Sequence, residues 1–217
     1  MVILMKYYYL IILLLIIYFI FVSKSNKFYK NIKLIKNPDD FLVLVNKNNK
    51  LDSKYKPKDL EIINLKYSNK DKYLRKEAKE AFEKLSDDAS KLNLSIIAVS
   101  TFRSYSYQKN LYLDYVNKKG KEYADACSAR PGHSEHQTGL ALDVMGSNKD
   151  YNKFDESKEF NWMINNAYKY GFILRYPKGK EHITGFKYEP WHYRYVGKEA
   201  AKIIHDKNIT LEEYKKS

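Results

Sequence analysis

Asp143 is the first residue that asks for an explanation. It sits inside the apolar stretch 138–145 (TGLALDVM), where Leu140, Leu142 and Val144 would share one face of a strand and Asp143 the other, beside Ala141. A carboxylate in such a place is costly unless it is paired or metal-bound. His136 lies seven residues earlier, an odd offset that would put it on the opposite side of an unbroken strand. Gly139 between them permits a bend that can bring the two together. Further on, Glu189-Pro190-Trp191-His192 holds a second carboxylate and a second imidazole within one turn, and Pro190 keeps that stretch from being a regular central strand. Two histidines and a carboxylate are a known catalytic zinc set that leaves one position open for water. A glutamate beside the last ligand suits a general base.

These groups need a scaffold, and the apolar pattern outlines one. Leu74, Ala78, Ala81, Phe82, Leu85 and Ala89 recur at helical spacing, which predicts a helix over 74–92. Residues 94–99 (LSIIAV) read as a strand covered on both faces. A second helix starts near Tyr105 with Ser104 as its N-cap, and its stripe is Leu111, Tyr112, Tyr115 and Val116. Gln108 extends that stripe, and a polar side chain on a buried face needs a partner, so Gln108 is a candidate for a site lining. Residues 120–135 read as a loop. A helix through Phe160, Met163, Ile164, Ala167 and Tyr168 stops at Gly171, followed by strands over 172–174 and 191–196 and a closing helix over 198–205. Residues 41–45 (FLVLV) suggest a strand or an extended arm. Helices and strands mix without strict alternation, which favours α+β over a doubly wound sheet.

The chain has 217 residues and a net charge of +13, with 44% apolar residues. That is enough for one core, at most two. Its single cysteine, Cys127, excludes an intramolecular disulfide framework and any Cys₄ or Cys₂His₂ zinc site. No basic cluster is interleaved with aromatics in the manner of a nucleic-acid groove, so no nucleic-acid partner is expected. The positive charge suits a location near anionic polymers or lipid head groups.

Residues 7–22 (YYYLIILLLIIYFIFV) are an uncharged run flanked by Lys6 and Lys24. As a helix the run would span about 24 Å at ~1.5 Å per residue, and its lysines can snorkel to fit the bilayer. It reads as a signal anchor or a signal peptide over 1–22. The anchor is favoured because Ser23-Lys24-Ser25 offers no small-x-small cleavage site. Residues 23–36 are polar and lysine-rich and read as a tether, leaving 37–217 as the functional domain.

Three ordered motifs carry a resemblance: Ser100-Thr101-Phe102-Arg103-Ser104-Tyr105-x-x-Gln108; Ser128-x-Arg130-Pro131-Gly132-x-Ser134-Glu135-His136-Gln137-x-Gly139-x-Ala141-x-Asp143; and Glu189-Pro190-Trp191-His192-x-Arg194-Tyr195-Val196-Gly197. Together they resemble the VanY-type D-alanyl-D-alanine carboxypeptidases, cell-wall zinc peptidases related to the L,D-carboxypeptidase LdcB, from about residue 41 to about 205. The resemblance implies a small central antiparallel sheet flanked by helices, the hedgehog/DD-peptidase-like zinc peptidase fold. It implies Zn²⁺ held by His136, Asp143 and His192, Glu189 as base, and Arg103 polarising the scissile carbonyl. Gln108 and Ser134 match positions that hold the substrate's terminal residue, and Trp191 would line the pocket. His133, His182 and His205 match no ligand position. Family members more often carry Gly-Tyr where this chain has Thr101-Phe102. The implied activity is removal of the terminal D-alanine from peptidoglycan stem peptides by a monomer held at the membrane. Pentapeptide and tetrapeptide substrates stay open, since the ligand set serves both. A wall-binding module without turnover would have lost a ligand or the base, and none is lost here.

Overall fold

The computed structural model describes residues 28–217 and Ile12. The apolar run 7–22, expected to meet the membrane, therefore lies outside the described residues apart from Ile12. Among the described residues no helix is long and apolar enough to cross a membrane.

Strands β1 (Lys33–Leu34) and β2 (Asn49–Lys50) form a short parallel pair, and β3 (Leu60–Ile62) and β4 (Tyr73–Arg75) an antiparallel one. Helix α1 (Lys76–Ser90) follows directly, then β5 (Ile97–Ser100), α2 (Tyr105–Lys119), α3 (Lys121–Cys127) and β6 (Ala141–Met145). Next come α4 (Lys158–Asn166), β7 (Phe172–Leu174), α5 (Glu181–Thr184), β8 (His192–Tyr195), α6 (Lys198–Lys207) and α7 (Leu211–Tyr214). The main sheet has the order β5-β6-β8-β7, antiparallel throughout. This is the expected α+β architecture.

The apolar stripe of α1 explains where the core sits. Ala78, Phe82, Leu85 and Ala89 are buried with Leu140, Leu142 and Val144 from around β6, and with Phe172 and Tyr193 from β7 and β8. Since side chains alternate along a strand, burying Leu142 and Val144 against α1 turns Asp143 to the other face. Asp143 and its cross-strand neighbour His192 lie on that second face. Ser104 caps α2 as its type suggests, its Oγ accepting from Tyr107 N at 3.2 Å. The helix ending near Gly171 finishes in a 3₁₀ turn, with that glycine at φ +88°.

Several elements differ from expectation. Residues 94–99 are not covered on both faces: β5 is an edge strand in which only Ala98 is buried. Residues 120–135 hold the helix α3, whose short apolar content leaves only Ala124 buried and so gives little periodic signal. Of the two forms open for residues 41–45, strand or extended arm, the strand is not formed: they join no ladder. The Phe41 and Val43 carbonyls instead accept from Arg194 Nη2, at 2.9 Å each, which satisfies these two carbonyls without a strand partner. Residues 28–36 of the expected tether pack on the domain. Arg130 lies over the Tyr29 ring at 3.8 Å, and Lys47 lies over Phe28 and Tyr29.

Gly139 is the hinge that the odd His136–Asp143 spacing calls for. It adopts φ +67° at the end of the 3₁₀ turn Glu135–Thr138. A Cβ there would come within 2.8 Å of Leu60 Cδ2 and 3.1 Å of Arg75 Cγ. Gly139→Ala is expected to cost about 1–3 kcal/mol, from the left-handed backbone and the contact together. Urea melts of the two proteins test this, and an unchanged midpoint would refute it.

Candidate metal centre

Sheet register brings two of the expected ligands together. Asp143 on β6 pairs directly with His192 on β8, so their side chains are cross-strand neighbours on one face. A bulge in β5 between Ala98 and Ser100 brings Ser100 opposite Asp143 at the rim, a common place for a bulge to re-aim a chain beside a site. The Gly139 bend folds His136 back over the same spot. Among the described residues, His136, Asp143 and His192 offer ligand atoms that all lie within 4.8 Å of one another.

The hydrogen bonds decide which atoms face inward. His136 is buried, and its Nδ1 lies 2.7 Å from the Thr101 carbonyl. A carbonyl only accepts, so Nδ1 carries the proton and Nε2 keeps its lone pair. That Nε2 is buried, has no hydrogen-bond partner among the described residues, and stands 3.4 Å from Asp143 Oδ1. Two electron-rich atoms so placed need a cation between them. His192 Nδ1 is 2.9 Å from the same Oδ1. Nitrogen and carboxylate ligands in this combination fit zinc.

For His136 and Asp143 the electrostatics agree with the geometry, whereas at His192 a cation would have to displace a proton. Burial, helped by the Arg103 charge, pushes the His136 pKa down to about 4, so its imidazole is neutral and free to ligate. Burial opposes ionisation of Asp143, but both imidazoles outweigh it and hold its carboxyl well below the usual range. Burial also acts against a charged His192, yet the Asp143 and Glu135 carboxylates raise it to about 9.

Glu189 arrives by a turn. His192 N donates to Glu189 O at 3.1 Å, with Pro190 second in that four-residue turn, where its fixed φ is favoured. The turn sets Glu189 Oε2 3.8 Å from His192 Nδ1. Burial raises the Glu189 pKa to about 7. Arg103 donates its backbone N–H to the His136 carbonyl at 3.2 Å, and its side chain lines the same cavity with a buried, unpartnered Nε.

The cavity is about 450 Å³ and is lined by Arg103, Ser134, Glu135, His136, Asp143, Glu189, Trp191 and His192, among others. Seven of the eight residues singled out in the sequence thus meet there. Gln108 is the exception. It is buried on α2 as expected, but its Nε2 donates to Ala129 O at 2.7 Å and Ser128 Oγ at 3.2 Å. It shapes the wall that Ser128 and Ala129 present to the cavity. His133 and His205 do not line it: the first binds the Asn46 carbonyl and the second stacks on Tyr168.

Four residues around the centre carried no assigned role in the sequence reading. Glu135 Oε1 accepts from Arg175 Nε and Arg194 Nη1, both at 2.8 Å, and all three side chains are fully buried. The Tyr176 ring stacks on His192 at 4.9 Å. Glu135 and Arg194 stood inside the quoted motifs, next to one ligand and two residues past another. Arg175 and Tyr176 had no local signal.

An antiparallel sheet that presents a His/Asp/His cluster beside a buried glutamate and an arginine makes a possible zinc site with a candidate base next to it. The comparisons with known proteins agree. Residues 71–198 match the profile of the family described as VanY: D-alanyl-D-alanine carboxypeptidase. YodJ of Bacillus subtilis (strain 168) is 44% identical over 205 residues, 88% of this chain and 75% of YodJ. The structure of the LD-carboxypeptidase LdcB is 45% identical with a TM-score of 0.81, covering 86% of this chain and 91% of that one. A variant of the D,D-pentapeptidase VanY from a VanB-type resistance cassette, solved with Zn(II), is 33% identical with a TM-score of 0.68, covering 80% and 97%. The chain belongs to the VanY D-alanyl-D-alanine carboxypeptidase family.

Proposed function

We propose that this protein is a zinc-dependent carboxypeptidase that hydrolyses the terminal D-alanine from peptidoglycan stem peptides. The observation that carries this reading is one cavity holding the His136/Asp143/His192 cluster, a glutamate 3.8 Å from His192 and a free-facing arginine. His136 Nε2, Asp143 and His192 Nδ1 would hold the ion. Zinc held there would supply Lewis acidity and lower the pKa of water at the site. Glu189 takes a proton from the attacking water and returns it to the leaving amine, and a pKa near neutrality suits both transfers. Arg103 donates to the scissile carbonyl oxygen as negative charge develops on it. Ser134 and Trp191 flank the terminal residue, and Gln108 keeps the Ser128–Ala129 wall in place. The N-terminal run would hold this domain at the outer face of the cell membrane, as a monomer.

A second reading is supported by the likeness to LdcB: L,D-cleavage of tetrapeptides by the same machinery. Purified pentapeptide and tetrapeptide muropeptides, digested with and without a chelator and read by mass, separate the two. The expected result is loss of one alanine from the pentapeptide, abolished by chelation and restored by zinc. Alanine loss from the tetrapeptide alone would select the second reading, and no loss from either would refute both.

A further inference from the structure

Glu135 has one oxygen that the arginines do not use. Oε1 takes both guanidinium contacts, while Oε2 is buried with no hydrogen-bond partner among the described residues. The same holds for His192 Nε2. These two orphaned atoms, each buried, stand 3.6 Å apart and are each other's natural complement. The His192 ring plane is already set by Tyr176 stacked against it. What remains to be decided is which ring nitrogen carries the proton.

We propose that Glu135 is a positioning residue for the metal centre: its Oε2 takes the Nε2 proton of His192, which commits the Nδ1 lone pair to the cation beside Asp143. The inference rests on the metal reading of the site. A ligating imidazole that donates its other N–H to a carboxylate is held in one tautomer and made a better donor to the ion. Two buried arginines keep Glu135 in place and ionised. Arg194 comes from β8, two residues past His192. Arg175 is itself gripped by Glu212 of α7, through Nη1 to Oε2 at 2.8 Å and Nη2 to Oε1 at 2.7 Å. The C-terminal helix thereby reaches the metal centre through three charged side chains: Glu212, Arg175 and Glu135.

Glu135→Gln keeps an oxygen for the arginines but presents an N–H to His192 Nε2, favouring the tautomer that blocks Nδ1. Zinc affinity of the full-length protein, measured by competition with a chelating indicator, is expected to fall about 10- to 100-fold. Glu212→Gln damages the same buried network without touching His192. It should lower the melting temperature while leaving zinc affinity close to that of the wild type. Equal loss of affinity in both variants, or a folded Glu135→Gln protein that binds zinc normally, would overturn the proposal. Nitrogen-15 spectra of the zinc-loaded wild type give a readout that needs no variant to fold. A proton on His192 Nε2 is expected, and one on Nδ1 would overturn the proposal. A wild type that takes up no zinc would refute the metal reading and this inference together.

Discussion

Glu189→Ala protein is expected to retain about one zinc per chain and to turn over a D-Ala-terminated stem peptide about 10²- to 10⁴-fold more slowly than the wild type, the usual contribution of a positioned acid–base group. The two effects separate because of geometry. The atoms that could ligate an ion belong to His136, Asp143 and His192, and removing Glu189 takes none of them away. The Glu189 carboxylate stands 3.8 Å from His192 Nδ1, close enough to reach a group on the ion but not needed to hold it. Its burial, which raises its pKa to about 7, has no structural return: among the described residues no side chain lies closer to it than His192 in an ion-pair geometry. Metal analysis and single-turnover kinetics on the same preparation test the claim. Turnover at the wild-type rate would remove Glu189 from the mechanism, and loss of zinc would make it a ligand.

The second large effect falls on stability. Arg175→Ala is expected to destabilise the fold by about 3–5 kcal/mol, because removing one member of a buried ionic network leaves the others charged and unpaired. Arg175 is fully buried and is the only residue contacting both Glu135 and Glu212 through its guanidinium among the described residues. Without it Glu212 keeps only a 3.4 Å contact from Asn46, and Glu135 must rely on Arg194. The loss should appear as a lower urea midpoint with little change in slope. A change under about 1 kcal/mol would show that the network has rearranged or hydrated, as a surface pair would.

The chemistry of this protein was more legible than its scaffold. Asp143 in an apolar strand and His136 behind a glycine were anomalies visible without coordinates, and both proved to converge with His192. Glu189 was legible because Pro190 spaces it from His192 by one turn. Gln108 shows the limit of such reasoning: a buried polar side chain needs a partner, but periodicity cannot say whether that partner is a substrate or the neighbouring backbone. The loop expected over 120–135, and the choice between strand and extended arm at 41–45, escaped the sequence for a related reason. Helix α3 buries one alanine, and the Phe41 and Val43 carbonyls accept from an arginine about 150 residues away.

Residue types and their local spacing determined by themselves the candidate zinc-type cluster, the glutamate beside it, the α+β class and the family motifs, since these depend on chemistry that each short segment carries alone. Only the tertiary structure decided the pairing of Asp143 with His192, which ring nitrogens face the centre, and the Glu135–Arg175–Glu212 chain beneath it. Those features arise from strand register and from charges that meet after folding, and a contact between distant segments leaves no trace in the order of either.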